Sequence, residues 1–486
     1  MRATSLRRAI KATSAAPVLP LLLAWTLFPA PASAQESAAL APAVRALASV
    51  DAPLVALVGV RLLDGTGAPP AEGRTILIRG TTIEAVGAAG QVAVPADATV
   101  LDLAGHTVIP GLVQLHEHTY FGGLERSTQM SASGPPLYLA MGVTTAMTAG
   151  SQFPYQELNM KRAVDEGLVP GPRFHVTGPY LTGGRTRPTV NRIVNTPEEA
   201  RRVIGYWAEE GATWFKFLGE VTREVLGEGI REAHARGLRV TGHLCSVTFS
   251  EAARLGIDAL QHGYITNSDY VPGKQPDVCP PENMRIQADV DPASPEVQAN
   301  IREIVAAGAA VVSTLGVYET FVPERARLRP DALEMLDPDA RREVEANHAD
   351  VARGGFSMPE RLLLKMMRWE RDFVAAGGLL GSGSDPWGTG FLPGFGNLRN
   401  YELLLEAGFT PGEAVRVMTL NGARILGEER RLGSVEVGKL ADLVVIEGDP
   451  TTTPGDVYRV VTVFKDGVGY DSAKLRGLAR GKVGAS

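Results

Sequence analysis

The sequence predicts an α/β protein: a (β/α)8 barrel with a smaller, discontinuous β-sandwich-like domain drawn from both chain ends. Three observations lead there. Between residues 107 and 425, eight short apolar β runs alternate with stretches of helical periodicity, the pattern of a parallel sheet wound with crossover helices. On either side, residues 56–106 and 426–486 carry β runs separated by Gly- and Pro-containing turns, the pattern of antiparallel strands. Finally, histidine, lysine and aspartate fall at the C-terminal ends of the central β runs, the end at which (β/α)8 (TIM-type) barrels keep their sites.

A chain of 486 residues has room for roughly two to three domains, or one large barrel and an accessory domain. Its 44% apolar and 21% charged residues are those of a globular protein. No basic stripe is present, which argues against a nucleic-acid partner.

The N-terminus reads as a separate element. Arg2, Arg7, Arg8 and Lys11 precede a short apolar run from Pro17 to Phe28, and Ala32-Ser33-Ala34 forms a small-residue cleavage site. Residues 1–34 are therefore expected to be a signal peptide removed after Ala34, with the protein exported to the periplasm or secreted. The apolar run falls short of the ~20 residues that span a bilayer, so no stable membrane span is expected. Arg7-Arg8 hints at twin-arginine export, although Ala9-Ile10-Lys11 fits that signal poorly. Cleavage would remove four positive charges and no negative ones, taking the formal charge from −6 to −10. Such acidity favours solubility and says little about the substrate. Cys245 and Cys279 can pair in an exported protein or remain two buried thiols.

Residues 35–55 are expected to be a flexible lead-in. The small domain then opens with β runs at 57–62, 75–78, 83–86 and 99–101. It resumes after the barrel with Gly433-Ser434-Val435, Leu443–Ile446 and Val460–Phe464. The barrel strands are expected at Leu112–His116, Val143–Met147, Arg173–Thr177, Thr213–Phe217, Leu238–Gly242, Ala259–Gln261, Ala310–Leu315 and Leu379–Gly383. Helices such as Arg223–Arg236 and Phe249–Leu255 lie between them, and Gly256 and Gly237 mark helix ends. The connections 262–309 and 315–379 are long, as lids and substrate loops are.

Two histidines two residues apart on a strand point to one face. His116 and His118, in Val113-Gln114-Leu115-His116-Glu117-His118, can therefore reach one metal ion. Lys216, His243, His262 and Asp385 lie at the ends of later barrel strands. A single strand-end histidine is more often a hydrogen-bonded structural residue, and a single Asp after glycines is more often a turn residue. Lys216 sits in Trp214-Phe215-Lys216-Phe217, where an ammonium must snorkel or find a partner to escape a large burial cost. Convergence on one barrel mouth strengthens all six together. Two divalent ions ~3.5–4 Å apart can clamp a bridging hydroxide and polarise a carbonyl. Four imidazoles leave such a pair strongly positive. Asp385 supplies one anion, and Lys216 supplies another if CO2 converts its neutral amine, favoured by burial, into a carbamate.

With these residues in place the chain resembles the amidohydrolase superfamily over residues ~56–450. The resemblance rests on Val108-Ile109-Pro110-Gly111-Leu112 leading into His116-x-His118, then on Lys216, His243, His262 and Ser384-Asp385. The stretch from Gly433 to Val445 (GSVEVGKLADLVV) is a further hallmark. The branch it is most similar to is the imidazolonepropionase-related amidohydrolases, which include binuclear Xaa-Pro dipeptidases. The resemblance implies that His116, His118 and Asp385 bind one metal, that His243 and His262 bind the second, and that carbamylated Lys216 bridges them. It further implies that Asp385 carries the proton from the bridging hydroxide to the leaving nitrogen. Zinc suits this donor set.

One departure limits the parallel. The branch often carries Gly-Gly-His after strand three, where this chain has Gly183-Gly184-Arg185-Thr186-Arg187. Arg185 or Arg187 can bind a substrate carboxylate or be solvated loop charges. Tyr180, Tyr264, Tyr318 and Trp387 are candidate pocket residues. The leading expectation is hydrolysis of an amide bond in a small peptide-like or N-acyl amino acid substrate. Its rivals are a cyclic-amide or deaminase-type hydrolase with one metal, and an inactive binding module. The sequence leaves the oligomeric state open, a homo-oligomer included.

Overall fold

The structure is a computed structural model. It describes residues 40–485 except 123–126, 185–190, 326–327, 387 and 389. The expected signal peptide and its cleavage site after Ala34 lie outside the described residues. No helix among the described residues is long and apolar enough to cross a membrane.

Eight parallel strands form the barrel, at Leu112–Glu117, Val143–Thr148, Arg173–His175, Trp214–Phe217, Arg239–Gly242, Ala259–Gln261, Ala310–Ser313 and Leu380–Ser382. They are numbered one to eight below. Strand two pairs with strands one and three. Strands four to eight form an unbroken parallel run. A parallel bridge between Thr177 and Trp214 links strand three to strand four. The ring closes where the Asp385 amide, just past strand eight, donates to the His116 carbonyl at 2.8 Å. Two short strands after strand three, Tyr180–Thr182 and Asn191–Ile193, continue the sheet beside Phe217.

The crossover helices follow from local sequence. Thr248 opens the helix Phe249–Leu255 with a capping box: its hydroxyl accepts from the Glu251 amide while the Glu251 carboxylate reaches back, which satisfies two otherwise orphaned donors. The left-handed Gly256 ends it. In the helix Arg223–Ala235, Val225, Leu226, Gly229, Ile230 and Ala233 recur at helical spacing and are buried, so one stripe faces the strands.

The long connections are built rather than open. Residues 262–309 contain two short 3-10 turns and the helices Asn283–Gln287 and Pro295–Ala306, and the described residues of 315–379 contain four helices. Cys245 and Cys279 form a disulfide. It fastens the first connection to the loop just after strand five.

Strands from both chain ends form one nine-stranded sheet. Strand Leu54–Leu62 pairs with Thr99–Asp102 over its first half and with His106–Pro110 over its second. The change of partner falls around Gly59, whose φ of +76° favours glycine. His106–Pro110 in turn pairs antiparallel with Leu443–Glu447. The hydrogen-bonded sheet thus runs through strands from both chain ends.

Two expectations are corrected. Residues 42–50 are not a flexible lead-in. A turn of helix at Pro42–Arg45 packs Val44 into the barrel core, and Ala48–Val50 pairs with Val468–Asp471 at the sheet edge. An alanine-rich stretch carries little periodicity, and here a distant strand supplies the order. Gly433-Ser434-Val435 forms no strand; it is a turn in which the Val435 amide donates to the Asp64 carbonyl.

Asp442 of the C-terminal motif ties this sheet to the barrel. Arg173 of strand three reaches it at 3.1 Å and Asp466 at 2.6 Å, and also donates to the Thr145 hydroxyl. The second Asp442 oxygen accepts from the Asp466 amide. The Asp442 side chain is 4% exposed, so removal of its cation leaves a charge in low dielectric. Arg173→Ala is expected to lower the unfolding free energy by roughly 3–5 kcal/mol, measured as a fall in the urea midpoint at unchanged slope.

Candidate active site

The six metal-competent residues meet at the C-terminal mouth of the barrel, at the floor of a cavity of about 730 Å3. His116 and His118 project from the end of strand one to the same side. The His118 Nε2 lies 3.0 Å, and the His116 Nε2 3.5 Å, from Asp385 Oδ1. These three residues can present one ligand atom each within 4.8 Å of one another. The His262 ring lies 4.6 Å from that of His116 and 4.4 Å from that of His243. The Lys216 amine lies 3.0 Å from His116 Nε2.

The hydrogen bonds around the rings settle which nitrogen is available. His116 Nδ1 faces the Gln261 Oε1 at 2.6 Å, and the Gln261 amide group donates onward to Thr241. A carbonyl oxygen can only accept, so Nδ1 carries the proton and Nε2 keeps its lone pair. His262 Nδ1 meets the Thr314 hydroxyl at 2.8 Å. Its Nε2 is buried without a hydrogen-bond partner, and a buried polar atom of this kind calls for a ligand. Such outer hydrogen bonds orient metal-binding histidines.

Charge follows burial. Burial first, and the Lys216 ammonium next, hold His116 well below the ordinary imidazole range. Burial also brings His243 down to about 4. The rings are therefore neutral, as ligands must be. Burial alone would raise the Asp385 carboxyl, but the imidazoles around it hold it well below the usual carboxylate range. Burial lowers Lys216 to about 8, against the opposing pull of Asp385. No carboxylate among the described residues lies within ion-pair distance of it. The site thus holds an amine whose proton is easily lost, four neutral imidazoles and a carboxylate. That set fits a pair of divalent ions.

Residues 394–469 match the model of the amidohydrolase family. That match covers the C-terminal part of the chain. The same fold recurs in a bottromycin amidohydrolase, at 22% identity with a TM-score of 0.68 over 90% of this chain and 91% of that one. It also recurs in a Xaa-Pro dipeptidase with bound methionine in its active site, at 20% identity and a TM-score of 0.64 over 86% and 100%. At these identities the likeness is one of fold. A stretch of 50 residues, 10% of this chain, is 44% identical to a 5'-deoxyadenosine deaminase of Methanobrevibacter smithii. It spans 12% of that protein, about an eighth of the curated relative.

Two of the six metal-competent residues sit in backbone conformations that side chains rarely adopt: φ is +69° at His262 and +50° at Asp385. Such residues cost of order 1–3 kcal/mol each and persist where the surroundings force them. At Asp385 the force comes from Glu117, the residue between the two strand-one histidines. It points the other way, into the barrel wall, and is fully buried. Its carboxylate accepts from the Ser384 amide at 2.9 Å, the Asn397 side chain at 2.7 Å and the Ser384 hydroxyl. Gly383 completes the seam, since a Cβ there would meet the His116 backbone nitrogen at 2.4 Å.

Of the candidate pocket residues, Tyr180 and Tyr318 line the cavity. The Tyr180 hydroxyl bonds that of Tyr120 at 2.6 Å and approaches His118 Nδ1. Tyr318 stands edge-on to the His262 ring at 5.4 Å. Tyr264 does not line the cavity: it is fully buried, and its hydroxyl donates to the Gln287 and Val290 carbonyls. It packs the connection after strand six. Arg185, Arg187 and Trp387 lie outside the described residues. Glu117, Gln261, Thr314 and Tyr120 carried no separate sequence signal. Of these, Glu117 could be found only by asking what the opposite face of His116-x-His118 must hold.

Glu117→Gln keeps one accepting oxygen for the Ser384 amide and Asn397 but puts an NH2 where the Ser384 hydroxyl now donates. It is expected to destabilise the fold by roughly 1–3 kcal/mol and to reduce bound metal, read by thermal unfolding and by metal analysis of the same preparation. Behind strand seven, Glu370 is buried on the helix Glu360–Ala375, bonded through one oxygen to Ser313. Burial raises its carboxyl to about 8 from 4.5. The folded state therefore binds the extra proton between those values, so its contribution to stability falls as pH rises through that window. Glu370→Gln should flatten this loss and gain on the order of 1 kcal/mol at pH 9, seen in melts from pH 5 to 9.

Proposed function

We propose that this protein is an exported, binuclear metal-dependent amidohydrolase of the Xaa-Pro dipeptidase-like branch. It would cleave the carbon–nitrogen bond of an amide in a small peptide-like or N-acyl amino acid substrate. The observation that carries the reading is Lys216, a fully buried amine lowered to about 8 and set against a metal-competent histidine in place of a carboxylate. One ion would need only the trio of His116, His118 and Asp385. An amine beside them has a role once CO2 adds to its Nζ, which loses a proton and becomes an anionic carbamate able to serve two ions.

In this reading His116, His118 and Asp385 would hold one ion and His243 and His262 the other, with carbamylated Lys216 as a ligand available to both. Zinc suits the imidazole and carboxylate donors. When bound, such ions supply an activated water and an electrophile for the carbonyl. The chain's own residues do the rest. Gln261 fixes the tautomer of His116, and Thr314 orients the His262 ring. The low-lying Asp385 carboxylate takes a proton from the attacking water and delivers it to the leaving nitrogen. Water oxygen bonds to the carbonyl carbon, the carbon–nitrogen bond breaks, and a carboxylate and an amine result. Export is supported by the N-terminal sequence and by the Cys245–Cys279 disulfide, which suits an oxidising compartment.

A second reading, a mononuclear deaminase-type hydrolase, draws on the compact trio and on the 50-residue likeness to a deaminase. Bound metal decides between them, near two ions per chain for the first reading and near one for the second. Lys216→Ala is expected to lose about one equivalent of metal and at least about a hundredfold in kcat, partly restored by added short carboxylic acids. Full activity of that variant without such acids would end the carbamate assignment.

A further inference from the structure

The cavity above the metal-competent groups has a wall that the hydrolytic chemistry does not use. From the His262 ring, Tyr318 stands edge-on at 5.4 Å, Phe321 lies 6.4 Å beyond it, and Phe356 meets Phe321 edge-on at 5.2 Å. These residues form a continuous row of aromatic rings from a metal-competent histidine to the rim. At its outer end Phe356 is 68% exposed, the most exposed large apolar side chain among the described residues. Facing the cavity from another segment, Met284 is also exposed at 37%. Apolar side chains left bare at the mouth of a concave site mark a binding surface.

The opposite side is held in place. Cys245 follows His243 by two residues, and its disulfide to Cys279 pins the segment that leads to Met284. Both half-cystines line the cavity. Beyond the six metal-competent groups, Glu220 is the only charged lining residue among those described. Among the described residues, the row and Met284 offer rings and a thioether.

We propose that the Tyr318–Phe321–Phe356 row is the specificity wall of this enzyme and receives an aromatic or large apolar side chain of the substrate. The proposal rests on the hydrolase reading above and narrows its substrate class. Offset and edge-on packing of a substrate ring against such a row is favourable beyond simple burial. Small-residue peptides would leave Phe356 wet and forgo that gain.

The test uses the metal-loaded enzyme and the dipeptides Ala-Ala, Phe-Ala and Ala-Phe. At least one phenylalanine substrate should exceed Ala-Ala by tenfold or more in kcat/KM. The double variant Phe321→Ala/Phe356→Ala should bring that ratio to within about threefold, with metal content unchanged. Equal rates for all three dipeptides, or a preference that survives the double variant, would overturn the proposal. A calorimetric comparison of 3-phenylpropanamide with propanamide needs no turnover and separates this claim from the hydrolase reading. Tenfold tighter binding of the phenyl compound, lost in the double variant, upholds the wall even if no dipeptide is cleaved. Equal binding of the two amides overturns it.

Discussion

The seam between the first and eighth barrel strands is the constraint on which the site depends. A barrel wall needs its last strand laid against its first, and here a buried carboxylate does this. Glu117 gathers the Ser384 amide, the Ser384 hydroxyl and the Asn397 side chain. A carboxylate buried without such donors would cost several kcal/mol. With them, the chain past strand eight is drawn in until Gly383 touches His116 and Asp385 turns into a left-handed conformation. The Asp385 carboxylate then lies beside both strand-one histidines. The alternation of a β strand assigns both jobs at once: the odd positions 115 and 117 face away from the site, and 116 and 118 face into it.

Around that seam, each reactive group is set by a neighbour that does not itself react. Gln261 accepts from His116 and passes its own donor to Thr241. Thr314 meets His262, and Tyr180 bridges Tyr120 toward His118. These bonds lie in a region nearly closed to water, where each is stronger than it would be in solvent and a missing one is correspondingly costly. The same dryness keeps the imidazoles neutral and brings the lysine amine toward neutrality, so burial itself prepares the donor set.

Much of this was legible in the sequence because it is periodic or local. Apolar runs alternating with helical stripes announce a parallel barrel, and polar residues at strand ends announce its mouth. His116, His118, Lys216, His243, His262 and Asp385 could be named because each ends a strand. Glu117 could not, since a lone glutamate on a strand has many uses and its partners lie more than 260 residues away. Gln261 and Thr314 act through their neighbours and belong to no spacing rule. Tyr264 shows the reverse error: proximity to a strand end suggested a pocket residue, whereas its hydroxyl faces two carbonyls on the outer side. Residues 42–50 looked featureless because their order comes from strand Val468–Asp471, at the other end of the chain. The aromatic row is assembled from Tyr318, Phe321 and Phe356, and the last of these joins only after an intervening helix has folded the chain back.

The composite sheet bears on how the protein is made. During synthesis, strands Leu54–Leu62 and His106–Pro110 emerge early, but Leu443–Glu447, which covers one edge of His106–Pro110, appears only after the whole barrel. At ordinary elongation rates of ~5–20 residues per second that edge waits for tens of seconds. Unpaired strand edges recruit other strands. The nascent chain is therefore most prone to sticking to its neighbours in the interval between its first sheet and its last. Slowing synthesis would lengthen that interval, whereas a chaperone that masks the early edge would relieve it.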